Sequence, residues 1–176
     1  MSVTLGYVRC GDTVIDATCG TGQDTVRLAK AAGETGRVVA FDIQEAAIDR
    51  TASRLNEYGY MNTELVHGTF AEMGKYVSDG SAAAVVFNLG YLPGGDHSVT
   101  TTAEETLAGL EAALRAVRPG GIVTAVLYSG HEEGAREKQA VLEWADQLDS
   151  RLFHAAYVKM LNQHRNPPEI LWITKK

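Results

Sequence analysis

The run Ala82-Ala83-Ala84-Val85-Val86-Phe87-Asn88 is apolar at every position but its last. Successive side chains of a strand point to opposite faces, so an apolar run without alternation is a strand covered on both sides. Such a strand sits inside a parallel sheet flanked by helices, and the rest of the chain is patterned to supply them. Short β-rich runs at 13–17, 37–42, 63–67 and 122–128 alternate with stretches of helical periodicity at 23–32, 45–58, 103–117 and 132–148. This alternation builds βα units around a mostly parallel sheet, an α/β fold. Gly33 ends the first helix. Ala46, Ile48, Ala52 and Leu55 form the inward side of the second, and Leu107, Leu110 and Leu114 the apolar stripe of the third. Pro119-Gly120-Gly121 reads as the turn into the fifth strand, and 70–77 has no clear pattern. Strands at 153–160 and 170–174, joined by an Asn/Pro-rich turn at 162–168, close the chain.

With 176 residues, 45% of them hydrophobic, there is material for one core, so residues 1–176 are expected to form a single domain holding every functional group. There is no run of about 18 apolar residues and no leader-like start, which predicts a cytoplasmic protein without a membrane partner. Cys10 and Cys19 lack CxxC spacing and read as reduced thiols, Cys19 as a small loop residue; no metal is expected. A net charge of −6 excludes a broad basic face that coats nucleic acid. Basic residues recur late, at Lys159, His164, Arg165, Lys175 and Lys176, either as solvated surface or as a local RNA contact.

The stretch Asp16-Ala17-Thr18-Cys19-Gly20-Thr21-Gly22 follows the first strand and leads into a helix. That arrangement puts backbone N–H groups and a helix N-terminus at the carboxyl edge of the sheet, where open α/β sheets bind ligands. A dinucleotide fingerprint fails here, because Thr25 stands at its third glycine position. An acidic strand end followed by a GxG turn resembles instead the first motif of class I methyltransferases. Asp42, ending the second strand, suits a carboxylate that accepts hydrogen bonds from both ribose hydroxyls. The same residues also admit a plain reading, with Gly20 and Gly22 forming a tight βα turn and Asp42 capping the next helix.

A second loop, 89–102, is long enough to be functional. It begins at Asn88-Leu89-Gly90-Tyr91, which resembles the Asn-Pro-Pro-Tyr of amino-methyltransferases with Leu and Gly in place of the prolines. A nitrogen takes a methyl group only when it is neutral and aims its lone pair at the methyl carbon. The Asn88 side-chain oxygen and the Leu89 carbonyl are placed to accept the amine hydrogens, and Tyr91 to stack on a planar base. Asp96 either stabilises the charge developing on nitrogen or closes the turn after Gly94-Gly95. Pro93, Gly94 and Gly95 have turn duty. Asn88 has a plainer alternative, a strand-end residue making backbone contacts alone. Little acid–base power is needed where a cofactor carries the activated methyl group.

Asp16-Ala17-Thr18 with Gly20, Gly22, Asp24 and Thr25, then Phe41-Asp42-Ile43-Gln44, Asn88 to Asp96, and late Asn162-Gln163 with Pro167-Pro168 together resemble one small bacterial family, labelled rRNA methylase. It is similar to the tRNA methyltransferase that converts wobble 5-aminomethyl-2-thiouridine to its 5-methylaminomethyl form. The resemblance covers nearly the whole chain and is most specific from Asn88 to Asp96. It implies a Rossmann-like class I methyltransferase fold, seven strands with the seventh antiparallel and helices on both faces. It implies S-adenosyl-L-methionine as cofactor, held by Asp16, Thr18, Gly20, Gly22, Gln23, Asp24, Thr25, Asp42, Ile43, Gln44 and Asn88. The reaction implied is N-methylation of the 5-aminomethyl group in a tRNA anticodon loop, with Asn88, Leu89, Tyr91 and Asp96 as reaction-centre residues and a homodimer as the assembly. Thr101, His131, Gly134 and Glu137 also match the family, without assigned roles. Two departures stand out. The family's helix before the first strand is longer than Met1 to Gly11 allows, which predicts an upstream start or a missing part of the cofactor lid or RNA surface. Its Ser-His pair after the third strand is replaced by Thr69-Phe70, with Phe70 expected as core packing or an adenine neighbour. The competing readings are a small-molecule or rRNA N-methyltransferase, a non-catalytic nucleoside-binding module, and, more distantly, a nicotinamide-dependent oxidoreductase.

Overall fold

The computed structural model describes residues 1–90, 102–130 and 132–176. In chain order the elements are α1 (Ser2–Leu5), β1 (Thr13–Asp16), α2 (Gln23–Ala32), β2 (Arg37–Asp42), α3 (Glu45–Tyr58), β3 (Thr63–His67), a 3-10 turn (Phe70–Lys75) and β4 (Ala82–Leu89). They continue with α4 (Ala103–Ala116), β5 (Val117–Leu127), α5 (Glu132–Asp146), β6 (Phe153–Val158) and β7 (Glu169–Lys175). The strands form one seven-stranded sheet in the order β3-β2-β1-β4-β5-β7-β6. The first five pair in parallel, while β7 runs antiparallel to both β5 and β6.

Alternation along the central strands divides the core in two. Val14, Val38, Ala40, Ala84 and Val86 face Leu28 and Ala29 of α2 and Leu55 of α3. Ile15, Val39, Phe41, Val85 and Phe87 face Leu110 and Ala113 of α4 and Val141 of α5. Every residue of β4 from Ala82 to Phe87 is buried, as its unbroken apolar run predicts. Thr106 of α4 donates its hydroxyl to Glu137 of α5 at 2.6 Å, both side chains buried, so a polar contact joins these helices inside their apolar interface. Among the described residues no helix is long and apolar enough to cross a membrane.

Several local expectations are corrected. The buried line of α3 is Ala47, Thr51 and Leu55, with Ile48 half-buried beside it, whereas Ala46 is exposed. The displacement follows from Thr51, which packs under the first loop although it is polar. Pro119-Gly120-Gly121 is an irregularity inside β5 rather than a turn before it: Ala82 pairs with Val117 and Ala84 with Ile122, so 118–121 bulge out of the ladder. Pro119 has no N–H to donate, and such a residue is accommodated at a bulge. Helix α4 accordingly ends at Ala116, α5 ends at Asp146, and β6 stops at Val158. The unpatterned segment folds as the 3-10 turn, capped by Thr69 Oγ1 accepting from the Ala71 N–H at 3.2 Å. Phe70 lies there in the core, edge-on to Phe87 with ring centroids 5.4 Å apart. Burying one such ring stabilises the fold by about 1.5–3 kcal/mol. Ahead of β1, α1 is tied down by a buried contact between the Thr4 and Thr124 hydroxyls at 3.2 Å.

Candidate active site

Strand order reverses between β1 and β4, because β1 continues outward to β2 while β4 continues to β5 on the other side. The crevice above such a switch point is where open α/β sheets take ligands. Here it lies between the loop after Asp16 and the end of β4.

Asp16 is buried, and both its oxygens are occupied: Oδ1 accepts from the Thr18 N–H at 3.2 Å and Oδ2 from the Thr25 hydroxyl at 2.7 Å. Burial pushes its carboxyl up to about 7, against the opposing hydrogen bond from Thr25. Thr25, the residue that breaks the dinucleotide fingerprint, is therefore the clamp that holds the strand end to the first turn of α2. Cys19 is buried beside them, and burial together with the Asp16 charge pushes its thiol up to about 12, so it stays protonated and unreactive. Gly22 is the N-cap of α2 at φ 77, a conformation open to glycine, and a Cβ there would lie 2.9 Å from Thr51 Cα. No side chain caps α2, so its first-turn N–H groups face the crevice without a protein acceptor from a capping side chain.

Asp42 does not cap α3, whose N-cap is Gln44. Its carboxylate instead joins two segments, Oδ2 accepting from the Gly20 N–H at 2.9 Å and Oδ1 from the Gln44 N–H at 3.0 Å. One backbone bond per oxygen leaves each with further acceptor capacity, which is what a vicinal diol requires. Ile43 beside it is 41% exposed for an apolar side chain, and its carbonyl is held by the His67 ring at 3.1 Å.

The end of β4 is joined to the first loop directly. The Ala17 N–H donates to the Val86 carbonyl at 2.8 Å, and one step further the Asn88 N–H donates to Thr18 Oγ1 at 2.7 Å. The Thr18 hydroxyl thus extends the β1–β4 ladder past the last regular pair. Leu89 pairs with Leu127 and is buried, placing its side chain in the core. Gln23 is exposed, and Asp24 forms an ion pair with Arg27 at 3.0 Å. Tyr91 and Asp96, with Pro93, Gly94, Gly95, Thr101 and His131, lie outside the described residues.

One residue was missed by sequence reasoning. Tyr128 follows the last pair of β5, and a Cβ on Gly90 would meet its ring at 3.0 Å. Its hydroxyl is pushed up by burial and by the charge of Asp24 across the crevice. The signal was available: an aromatic at the carboxyl end of the strand next to β4 shares the edge with Asn88.

The profile of the family described as "Putative rRNA methylase" matches residues 38–174. The chain belongs to that family. A Clostridium thermocellum protein of the same description superimposes with a TM-score of 0.96 at 40% identity, over 99% of this chain and 94% of that one. A "putative methyltransferase from Streptococcus mutans in complex with SAH" superimposes at 0.91 with 34% identity, over 99% and 94%. The chloroplastic tRNA (mnm(5)s(2)U34)-methyltransferase of Arabidopsis thaliana is 38% identical over 91% of this chain, which spans 62% of that protein. The fold of this rRNA methylase family member is the Rossmann-like class I methyltransferase fold, with β7 antiparallel as the resemblance implied. Gly20 and Gly22 form the tight turn of the plain reading, while Asp42 ties that turn to the second strand end and leaves the N-cap position of α3 to Gln44.

Proposed function

We propose that this chain is an S-adenosyl-L-methionine-dependent N-methyltransferase acting on the 5-aminomethyl group of a wobble 2-thiouridine in tRNA. The observation that carries the reading is the bond from the Asn88 N–H to Thr18 Oγ1. It locks the strand that presents the acceptor to the loop that holds the cofactor, so the distance between donor and acceptor is set by the fold. The Streptococcus mutans neighbour's SAH complex and the Arabidopsis relative's tRNA specificity support the reading.

The crevice suits the cofactor. Asp42 would accept from the ribose hydroxyls, Ile43 would lie against the adenine, and Gly20 would let the ligand approach the backbone of a turn that Gly22 packs onto Thr51. Asp24 and the N-terminus of α2 would face its amino-acid end, with Gln23 and Gln44 completing the wall and the buried Thr25 acting on the loop through Asp16. When bound, S-adenosyl-L-methionine supplies the activated methyl group, so the protein's contribution is position. Asn88 Oδ1 and the Leu89 carbonyl would accept the two hydrogens of the neutral amine and leave its nitrogen lone pair free for the methyl group. Tyr91 would stack on the uracil ring, and Asp96 would sit near the nitrogen as it gains charge. Tyr128 closes the side of this site away from β1. The assembly proposed is the homodimer that the family resemblance implies, and the compartment proposed is the cytoplasm.

The test is methyl transfer from labelled S-adenosyl-L-methionine to tRNA carrying 5-aminomethyl-2-thiouridine, with tRNA lacking the aminomethyl group as control. Label confined to the first RNA is the expected result. Equal labelling of both RNAs, or labelling of ribosomal RNA instead, overturns the acceptor assignment. Because the chain carries a net charge of −6, a small amine is the second acceptor class to test.

A further inference from the structure

We infer that the β6–β7 hairpin is the element with which this acidic chain holds single-stranded RNA, through phosphates next to the reacting nucleotide. The inference rests on the RNA-methylating reading above and deepens it by assigning the surface.

Topology brings the hairpin to the site. Because β7 is antiparallel to β5 and β6 antiparallel to β7, the chain leaves β6 and enters β7 at the carboxyl edge of the parallel strands. Asn88 pairs across from Val126, and Val126 from Ile170. The start of β7 is therefore two strand spacings, about 10 Å, from Asn88. The end of β6, which leads into Lys159, lies one strand further out.

The composition of the tip is unlike that of the chain. Asp and Glu outnumber Lys and Arg by 22 to 16 over the whole sequence, yet Lys159 to Pro168 contains Lys159, His164 and Arg165 and no acid. All of these ten positions are exposed except the half-buried Pro167. The nearest acid along the chain, Glu169, is buried and already engaged by Lys138 Nζ at 2.6 Å. Burial opposes its ionisation, but Lys138 and the Tyr157 hydroxyl hold its carboxyl below the usual range. Lys159 also acts on Glu169 through charge, so two lysines share this one carboxylate, and the base of the hairpin keeps a positive surplus to which Arg165 adds. Phosphate contacts by Lys and Arg supply the sequence-independent part of RNA affinity, and a few placed near the target position it.

Shape and apolar surface agree with this use. Leu161 is 89% exposed and Met160 and Tyr157 about two-fifths exposed, an uncharged surface on which splayed bases can lie. Asn166 sits in the left-handed region at φ 46, which Asn tolerates, and Pro167-Pro168 follows it. Two consecutive prolines restrict the backbone, so little ordering entropy is lost when the tip binds.

The experiment compares wild type with the double variant Lys159→Ala/Arg165→Ala and the charge-keeping Lys159→Arg/Arg165→Lys. Binding of a fluorescein-labelled anticodon stem–loop RNA is followed by anisotropy across a salt series, with S-adenosyl-L-methionine affinity by calorimetry as the folding control. The expected result is at least tenfold weaker RNA binding by the alanine variant and a salt slope reduced by about 1.4, the value for two single-strand phosphate contacts. Cofactor affinity stays unchanged, and the charge-keeping variant retains both affinity and slope. If wild type binds and methylates the RNA while the alanine variant binds it with the same affinity and slope, the hairpin assignment falls and the RNA reading stands. If wild type neither binds nor methylates RNA, both fall. A substitution at Leu161 (Leu161→Asp) that splits a dimer and leaves RNA binding intact would assign the tip to self-association, overturning the inference.

Discussion

At the scale of single residues, the crevice is built by side chains that hold one another as much as by side chains that face a ligand. Asp16 has both oxygens committed to Thr18 and Thr25, whereas Asp42 keeps acceptor capacity on each oxygen. Substitutions should separate these roles. Asn88→Ala removes the acceptor contact and leaves the backbone bond to Thr18, so steady-state kinetics should show kcat lowered by about tenfold or more at unchanged cofactor affinity; placement of a reacting group is worth that much. Asp42→Ala should do the opposite in calorimetry, weakening S-adenosyl-L-methionine binding by about 1.5–3 kcal/mol, the value for hydrogen bonds to a charged group. Loss of cofactor binding and turnover together in Asn88→Ala would refute the division. The candidate residues Asp16, Gly20, Gly22, Asp42 and Asn88 were legible because each occupies a strand end or a turn whose backbone demands are written in its residue type. Tyr128 was not, since nothing local marks a strand-terminal aromatic until the neighbouring strand is known.

At the scale of elements, periodicity located the strands and helices, and their ends moved wherever a partner decided them. Helix α3 turned its buried face toward Thr51, because the close approach of Gly22 requires a small residue pair there. Strand β5 absorbed Pro119 as a bulge, since its pairing with β4 already begins at Val117. The contact between α4 and α5 is likewise a tertiary matter. Thr106→Val keeps the shape and removes the hydroxyl that donates to Glu137, and should lower unfolding stability by about 1.5–3 kcal/mol in urea denaturation. Thr106→Ser should recover most of the loss. An unchanged midpoint in Thr106→Val would show that the contact contributes nothing net.

At the scale of the whole molecule, Asp16 couples stability to pH. Its folded carboxyl titrates at about 7, above the ordinary 3.8. A raised carboxylate pKa means that the folded state holds a proton the unfolded state has released. The contribution is therefore fully present below pH 4, declines as pH rises toward 7, and is gone above it. Between pH 6 and 8 the unliganded protein should lose on the order of 1 kcal/mol of stability from this group. Asp16→Asn retains an acceptor for the Thr18 N–H and a partner for the Thr25 hydroxyl without the charge, so its thermal denaturation should be flatter over that range. Identical pH profiles for the two proteins would locate the titration elsewhere.

The amino-acid sequence by itself determined the class of fold, the order of its elements, and the two strand ends on which the site stands. Those properties depend on hydrophobic period, turn chemistry and short motifs, all of which act over a few residues. Tertiary structure alone decided that Thr18 meets Asn88, seventy positions away, that Thr25 clamps Asp16, that the Tyr128 ring lies against Gly90, and that the β6–β7 hairpin reaches the carboxyl edge. Each of these depends on strand order and direction, which follow from how two buried faces are covered together and are not encoded in any single segment.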